Sequence, residues 1–295
     1  MDKELKGIIV AMITPMLGDE SVDEAGLGQV ARYLIDRGVH GLFPGGSQGE
    51  FFALTTAERE RVLEVTLEAA GGDVPVVAHT GAITTREAVA LTRHAERVGA
   101  DAVAACTPFF IKPSPDELFG YYAEMCAATR LPMLAYDNVG RTGVPLPPKL
   151  VARMAREIPN FVGIKDSSGD LTQLTEHLRL APEGFRAFVG RDSLIYAALL
   201  HGGAGAVTAT ANVVPDLAVG IYEAVQAGDL ARARDLQQKV LPVRLAFGLA
   251  TFPVVVKVAM EMIGQPAGPA RAPVGGMSET ARAQLRTVLE GAGVL

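Results

Sequence analysis

An alternation of short apolar runs with longer amphipathic segments repeats eight times along the sequence. The apolar runs are rich in aliphatic residues and bounded by Gly, Pro or polar residues, which is typical of buried strands. The segments between them carry apolar residues at the about 3.6-residue spacing of a helix. The predicted strands begin near Ile8, Gly41, Val74, Asp101, Leu131, Asn160, Phe185 and Gly205, and the predicted helices cover residues 23–38, 56–70, 84–99, 114–129, 147–157, 170–179, 192–201 and 215–227.

The spacing of the predicted strands constrains how they connect. Successive strands begin roughly 20–35 residues apart, which suits parallel strand-helix-strand crossovers. Eight such units close most simply into a (β/α)8 TIM barrel of roughly 200–250 residues, and an open doubly wound sheet is the alternative. The chain has 295 residues, so we expect a (β/α)8 catalytic barrel over residues 1–227 and a C-terminal helical extension over residues 228–295. Within the extension, the pattern predicts helices over residues 229–262 and 278–290.

The composition argues against several classes of partner. The formal net charge is −6, and no stretch carries the clustered Lys and Arg that a nucleic-acid backbone requires. The most apolar stretch, from residue 245, is interrupted by Pro253 and Lys257 and falls short of the ~20 apolar residues of a membrane span. Cys106 and Cys126 are too few for a disulfide framework, which favours the reducing cytoplasm. We therefore expect a cytoplasmic protein that binds neither nucleic acid nor membrane.

One lysine stands out as a candidate nucleophile. The active site of a barrel of this type lies at the carboxyl ends of the strands, and Lys165 alone among the lysines ends a predicted strand. Burial in an apolar interior disfavours the ammonium form, so such a lysine can form a Schiff base with a carbonyl compound. The alternative is a lysine whose charged end reaches solvent. Lys257 is a rival, but its place in a predicted helix after Pro253 is better explained by packing.

Tyr136 ends the strand that precedes the strand of Lys165, one strand-helix repeat earlier in the chain. Adjacent strands lie ~4.8 Å apart, so the two side chains should be neighbours. A phenol in this place can carry protons to and from imine intermediates, although a half-buried core tyrosine is the alternative.

Two further segments can bind carboxylates. GGSQGE at residues 45–50 follows the second strand, and its small residues allow backbone N–H groups to approach an anion. Arg141 lies on the loop after Tyr136 and can pair with a second substrate carboxylate, unless it is an ordinary surface arginine.

The sequence offers little support for a metal or a nucleotide. No His-x-His or His-Glu-x-x-His spacing occurs, which disfavours a metal-dependent aldolase, and neither a dinucleotide glycine fingerprint nor a Walker loop is present. His79 ends the third strand and remains a further candidate for the site. A phosphosugar isomerase on a similar barrel needs a phosphate site after strands seven and eight, whereas GGAG at residues 202–205 precedes the eighth strand.

Several motifs resemble those of one enzyme family over nearly the whole chain. GLFPGGSQGE at residues 41–50, Tyr136 followed by GIKDS at 163–167, GRD at 190–192, GAVT at 205–208 and GPARAP at 268–273 are similar to segments of the dihydrodipicolinate synthase/N-acetylneuraminate lyase family of class I pyruvate aldolases. The resemblance implies a barrel that assembles as a homotetramer, a dimer of dimers. It also implies an imine between Lys165 and pyruvate or another 2-keto acid, with no metal or organic cofactor.

The resemblance also assigns roles to residues around the lysine. It implies that Tyr136 is the catalytic proton shuttle and that Ser47, also catalytic, holds the keto-acid carboxylate together with Gln48. Val207 is implied to offer a backbone contact to that carboxylate, and Gly190 falls in a segment that we assign to substrate binding. Arg141 matches the arginine that the synthases use for the carboxylate of the aldehyde substrate.

Three departures from the synthase pattern leave the substrate open. Gln48 stands where the synthases have Thr, Phe110 stands where they have the second tyrosine of a pair, which reaches a neighbouring subunit's site, and Val139 replaces a proline. GSQGEF is similar to GSNGEF of 4-hydroxy-2-oxoglutarate aldolases, and related sugar-acid dehydratases also lack the tyrosine pair. We therefore expect a Schiff-base lyase for a 2-keto acid, acting by aldol cleavage, condensation or dehydration. The alternatives are the 4-hydroxy-tetrahydrodipicolinate synthase of lysine biosynthesis and a non-catalytic keto-acid binding protein.

Overall fold

Eight parallel strands form the centre of the fold in the computed structural model, which describes residues 4–295. Neighbouring strands pair in the order β2-β1-β8-β7-β6-β5-β4-β3, and a parallel bridge between Leu42 and Val76 joins the two ends. The predicted (β/α)8 TIM barrel is confirmed, and the open-sheet alternative is wrong. The strands are β1 Gly7–Ala11, β2 Gly41–Phe43, β3 Val77–His79, β4 Ala102–Cys106, β5 Met133–Asp137, β6 Phe161–Asp166, β7 Arg186–Val189 and β8 Gly205–Thr208.

Helices alternate with these strands and surround the barrel. The longer helices agree with the predicted ranges to within about two residues at each end. In the part of the chain that the structure describes, no helix has both the length and the apolar character needed to cross a membrane. The helices are α1 Glu24–Asp36, α2 Thr56–Ala70, α3 Thr85–Val98, α4 Pro115–Ala127, α5 Val139–Thr142, α6 Pro148–Glu157, α7 Leu171–Leu180, α8 Ile195–Leu200, α9 Pro215–Gln226, α10 Leu230–Ala246, α11 Val254–Met262 and α12 Glu279–Gly291.

Side chains at the first residues of several helices explain where those helices begin. Thr55 and Glu58 form a reciprocal capping box at the start of α2, and Ser114 and Glu117 form another at the start of α4. Each box satisfies backbone N–H groups that have no partner within the helix. These helices begin where the sequence predicts because the capping residues are local signals.

The strands are buried on both faces, and alternate residues serve two cores. On β1, Ile8 and Val10 belong to the core between the barrel and its helices, whereas Ile9 and Ala11 belong to the barrel interior. This alternation follows from the two-residue period of a strand. Tyr136 belongs to this interior cluster. Inward-pointing side chains near the carboxyl ends of the strands therefore both fill the barrel interior and face the end of the barrel at which active sites lie.

The C-terminal extension differs from its prediction at one point. The predicted helix over residues 229–262 is two helices, α10 and α11, separated by a 3₁₀ turn over Phe247–Leu249 and an extended Ala250. Pro253 is the residue that precedes α11, where its missing backbone N–H costs no hydrogen bond within the helix, so it favours the start of a new helix at this point. The prediction of one continuous helix was therefore wrong. The division of the chain into domains at residue 227 stays a prediction.

Candidate active site

The carboxyl ends of β5 and β6 place two of the predicted residues side by side. Tyr136 pairs in register with Lys165, and the Lys165 amine lies 3.9 Å from the centroid of the Tyr136 ring. The same amine lies 4.5 Å from the centroid of Phe43, a barrel-interior residue. Lys165 is only 4% exposed. The alternative of a lysine directed into solvent is therefore wrong.

Burial changes the protonation of this lysine. Removal from water disfavours the ammonium form and lowers the pKa of Lys165 to about 7, and the negative charge of Asp192 opposes part of that shift. A much larger share of the molecules therefore carries the free amine at neutral pH than for an exposed lysine. A free amine is the form that attacks a carbonyl carbon.

The Tyr136 hydroxyl is surrounded by polar side chains, among them Ser47, Asn138 and Ser167. Ser47 Oγ lies 3.3 Å from Tyr136 Oη, and Asn138 Nδ2 donates to the same oxygen at 2.9 Å. Burial raises the pKa of Tyr136 to about 12, and its hydrogen bonds, that with Ser47 most, limit the rise. The phenol is therefore protonated at neutral pH and can act as a proton donor beside the amine.

The loop after β2 brings Ser47 and Gln48 to the same end of the barrel. Gly45 has a φ of 59°, a conformation that favours glycine, so this turn depends on the residue type. Gln48 is buried, and its Nε2 donates to the Pro253 carbonyl at 3.5 Å. Its Oε1 has no hydrogen-bond partner among residues 4–295. Buried polar atoms usually have partners, so this oxygen is an unsatisfied hydrogen-bond acceptor next to the cavity.

A cavity of about 400 Å³ joins these groups. Arg141 also borders it, with the guanidinium stacked 4.1 Å above the centroid of the Phe252 ring. The structure thus brings every predicted site residue to one cavity at the carboxyl ends of the strands. The residues concerned are Ser47, Gln48, Tyr136, Arg141, Lys165, Gly190 and Val207.

Comparison with known proteins agrees with this geometry. The profile of the dihydrodipicolinate synthetase family matches residues 4–292. The chain belongs to this family. It is 38% identical over 296 residues to a 4-hydroxy-tetrahydrodipicolinate synthase of Methanopyrus kandleri, which covers 100% of this chain and 99% of the relative. A second relative with that name, from Methanoculleus marisnigri, is 42% identical over 287 residues, which is 96% of this chain and 98% of the relative.

A solved structure gives the same result for the fold. YagE, a prophage protein of E. coli K12 crystallised in complex with pyruvate, superposes with a TM-score of 0.96 at 31% identity, over 99% of each chain. The resemblance inferred from the motifs is confirmed, and the chain is a lyase-type enzyme of the dihydrodipicolinate synthetase family.

Charged side chains that the sequence did not single out complete the wall of the lyase cavity. Arg191 and Asp192 follow β7, and Arg244 reaches the cavity from α10. Arg244 Nε lies 3.3 Å from Asp192 Oδ2, while Asp192 Oδ1 accepts from the backbone N–H groups of Ala209 and Thr210, each at 2.9 Å. The GRD motif carried a signal for Arg191 and Asp192. The sequence around Arg244 did not predict its position at the cavity, because that position depends on how the C-terminal extension packs on the barrel.

Gly190 shapes the lyase cavity through its lack of a side chain. A Cβ at this position would collide with the hydroxyl of Ser167, which also borders the cavity. Gly190 N donates to the Asp166 carbonyl at 2.6 Å, so the two strand ends approach closely here. The residue therefore permits this approach of β6 and β7.

The two rival candidates lie outside the lyase cavity. His79 is buried, with its ring centroid 4.4 Å from that of Phe51 and 6.1 Å from that of Tyr136. Burial, assisted by the charge of Arg59, lowers its pKa well below the usual range, so it is neutral. Lys257 Nζ lies 2.6 Å from Glu50 Oε1 in a buried ion pair. His79 therefore packs among the aromatic rings of the barrel interior, next to Tyr136. Lys257 is explained by its ion pair with Glu50.

No group of three or more His, Cys, Asp or Glu side chains within residues 4–295 is placed to hold a metal ion. The expectation that the lyase uses neither a metal nor an organic cofactor stays a prediction. The groups that border the cavity are an amine, a phenol, two serine hydroxyls, amides, guanidinium groups and the carboxylate of Asp192. This set suits nucleophilic attack, proton transfer and binding of anions.

Proposed function

We propose that the enzyme forms a Schiff base between Lys165 and pyruvate or a related 2-keto acid, and that the resulting enamine enters an aldol reaction or a dehydration. The observation that carries this proposal is the buried Lys165 amine, whose pKa is lowered to about 7 by burial and which lies against the Tyr136 ring. An amine with an ordinary pKa near 10.4 would be almost fully protonated at neutral pH.

The proposed steps use groups that already border the cavity. The neutral amine of Lys165 adds to the ketone carbon, and Tyr136 relays a proton from the nitrogen to the oxygen to give a carbinolamine. Tyr136 then donates a proton to the departing hydroxyl, so that water leaves, a protonated imine remains and Tyr136 is left as a phenolate. The Tyr136 phenolate then removes a proton from the carbon next to the protonated imine, which gives the enamine, with the nitrogen accepting the electron pair and the phenol restored. Carbon–carbon bond formation with an aldehyde, or its reverse, follows, and water finally releases the product from Lys165.

The carboxylate of the keto acid has a matching site beside the amine. Ser47 and Gln48 lie on the glycine-containing loop, and Val207 lies on β8 at the cavity wall. Backbone N–H groups and the Ser47 hydroxyl can hold the carboxylate while the ketone faces Lys165.

Borohydride trapping tests the imine. After incubation with pyruvate and reduction, Lys165 should carry a stable secondary amine, which trypsin does not cleave. The adduct should therefore appear on the peptide that spans residues 157–179. Lys165→Arg should give no adduct, and the exposed control Lys149→Ala should give the wild-type amount. Stabilisation of the wild type by pyruvate without any adduct would instead indicate keto-acid binding without catalysis.

The second substrate is proposed to carry an anionic group. Arg141, Arg191 and Arg244 border the cavity, and within residues 4–295 only Arg244 of these three forms an ion pair, with the carboxylate of Asp192. Guanidinium groups without a carboxylate partner favour binding of a carboxylate. This arrangement also favours the second candidate function, a 4-hydroxy-tetrahydrodipicolinate synthase, which is the name of the relatives from Methanopyrus kandleri and Methanoculleus marisnigri.

A panel assay distinguishes the two candidate functions. The enzyme is incubated with pyruvate and aldehydes with or without a carboxylate, aspartate semialdehyde among them, and separately with 4-hydroxy-2-keto acids. Preference for aspartate semialdehyde identifies the synthase, whereas cleavage of hydroxylated keto acids identifies the aldolase. Arg141→Ala should raise KM for anionic aldehydes at least tenfold and leave pyruvate trapping unchanged, since it removes only the second anion contact.

We propose that the enzyme works as a homotetramer, a dimer of dimers, in the cytoplasm. Phe110 is 96% exposed in the single chain and has a φ of 72°, a conformation that is unfavourable for a bulky residue. Ile111 beside it is also exposed. An exposed apolar pair in a strained loop fits a contact between two copies of the chain. The buried free thiols Cys106 and Cys126 fit a reducing compartment.

A further inference from the structure

The side chain of Asn138 is bound to the hydroxyl groups of the site rather than to its own loop. Its Nδ2 donates to Tyr136 Oη at 2.9 Å and to Ser47 Oγ at 3.4 Å. Those two oxygens lie 3.3 Å apart, so the three polar atoms form a triangle at the edge of the cavity. Asn138 was not among the residues that the sequence predicted for the site.

The side chain of Asn138 does not cap the helix that follows it. It precedes α5 as the N-cap residue, where an asparagine usually accepts from a backbone N–H of the first turn, yet it makes no such capping bond. The Asp137 carboxylate accepts from Val139 N at 3.1 Å instead. The Asn138 carbonyl, not its side chain, accepts from Arg141 N and Thr142 N. The loop is therefore held without the Asn138 side chain.

The direction of the hydrogen bond determines what Asn138 can do to Tyr136. An amide nitrogen only donates, so the phenolic oxygen accepts from Asn138 and must direct its own hydrogen elsewhere. That hydrogen can point to Ser47, to Ser167 or to a ligand atom on Lys165. When Tyr136 gives up its proton, the same amide stabilises the negative charge that forms on the oxygen. The amide itself does not take up or release a proton in this exchange.

We propose that Asn138 is a positioning residue of the reaction, whose amide fixes the Tyr136 oxygen beside Ser47 and assists Tyr136 in donating its proton. This inference rests on the proposed imine chemistry. Beyond that chemistry, the proton transfer by Tyr136 depends on the Asn138 amide. The amide holds the phenolic oxygen in place and stabilises the negative charge that forms on it when the proton leaves. Removal of that donor should slow the proton-transfer steps while leaving keto-acid binding unchanged.

Exchange of the pyruvate methyl protons with D₂O isolates the proton transfer that converts the imine into the enamine, because the enamine forms only when one of those protons is removed. The exchange rate is followed by proton NMR, and borohydride trapping on Lys165 is measured in the same samples. Asn138→Ala should slow exchange at least tenfold, keep the wild-type pyruvate concentration for half-maximal trapping and keep the wild-type melting temperature. Asn160→Ala is the matched control, since Asn160 Nδ2 donates only to the backbone carbonyls of Cys126, Thr129 and Leu131. It should lower the melting temperature and leave exchange unchanged.

Asn138→Asp gives a readout that a purely structural role would not produce. A protonated carboxyl can donate to the phenol as the amide does, whereas an ionised one repels the developing phenolate. The ratio of the Asn138→Asp rate to the wild-type rate should therefore rise as the pH falls from 8 to 5. Wild-type exchange in Asn138→Ala, or a pH-independent ratio for Asn138→Asp, would overturn the inference. Failure of the wild type itself to trap pyruvate would instead overturn the proposed function.

Discussion

The Lys165 amine lies 3.9 Å from the centre of the Tyr136 ring, and the two residues are direct register partners on β6 and β5. The barrel thus places the amine against the face of a phenol whose hydroxyl is held by Ser47 and Asn138. Burial in the barrel lowers the pKa of Lys165, and Tyr136 places a hydroxyl group that can transfer protons beside it. The two properties that imine chemistry requires therefore come from the same pair of strands.

The first prediction concerns the energetic cost of the buried amine. The unfolded chain holds the Lys165 proton up to a pKa of 10.5, and the folded chain holds it only up to about 7. The unfolded state therefore binds more protons between these pH values, and stability rises with pH across that window by at most about 5 kcal/mol. Below pH 7 the buried Lys165 lowers the free energy of unfolding by the full amount. Lys165→Met should remove it and be more stable than the wild type at pH 6.

Urea unfolding of the two proteins at pH 6, 8 and 10 measures this effect. Other titrating groups are common to both proteins, so the difference between their free energies of unfolding isolates Lys165. That difference should shrink by several kcal/mol from pH 6 to pH 10. A difference that stays constant would show that Lys165 keeps an ordinary pKa in the folded state.

The second prediction concerns the carboxylate that acts on Lys165 through space. The charge of Asp192 raises the pKa of the lysine against the effect of burial, so Asp192→Asn should lower it further. Imine formation then persists to lower pH, and the acid limb of its rate profile should shift down by about 1 unit. Stopped-flow or quenched trapping with pyruvate between pH 5 and 9 measures the limb. The control Asp216→Asn removes an exposed carboxylate that is paired with Arg37. It should leave the pH of the acid limb of the rate profile unchanged.

The third prediction separates the two functions of a buried tyrosine hydroxyl. Tyr136→Phe keeps the ring against Lys165 but removes the proton donor, so turnover should fall roughly 10²–10⁴-fold. Tyr122→Phe is the matched control, because Tyr122 is equally buried and its hydroxyl donates to the Ala105 carbonyl at 2.9 Å. The control should lose about 1 kcal/mol of stability and keep turnover. Equal effects of the two substitutions on turnover would contradict the role of Tyr136.

The sequence predicted those parts of the fold and site that depend on local pattern. Strand period, capping residues and the repeat length placed Tyr136 and Lys165 side by side, because residues at equivalent points of successive units meet at one end of a barrel. Arg244 escaped prediction because α10 reaches the site only through packing on the barrel. Asn138 escaped because its position indicates a helix cap, and only the structure shows that its side chain contacts Tyr136 instead.

The fourth prediction tests the close approach at Gly190. A methyl group at this position would collide with the Ser167 hydroxyl, so Gly190→Ala should reduce both stability and turnover. Ser167→Gly removes the obstructing side chain and should restore much of the stability of Gly190→Ala. A double-mutant cycle of thermal unfolding should therefore give a coupling free energy of about 0.5–3 kcal/mol. Additive effects would mean that the Gly190 position accommodates a side chain without contact with Ser167.

The fifth prediction concerns Phe110 and the proposed assembly. Its φ of 72° disfavours a residue with a Cβ by about 1–2 kcal/mol, and its ring is 96% exposed in the isolated chain. Phe110→Gly should therefore stabilise the fold of the single chain while removing a contact between copies, whereas Phe110→Tyr should keep the assembly. Analytical ultracentrifugation of the wild type should show a tetramer, and Phe110→Gly should dissociate at concentrations at which Phe110→Tyr stays assembled. A monomeric wild type, or unchanged assembly in Phe110→Gly, would remove Phe110 from the proposed interface and leave its strained, exposed conformation without an intermolecular cause.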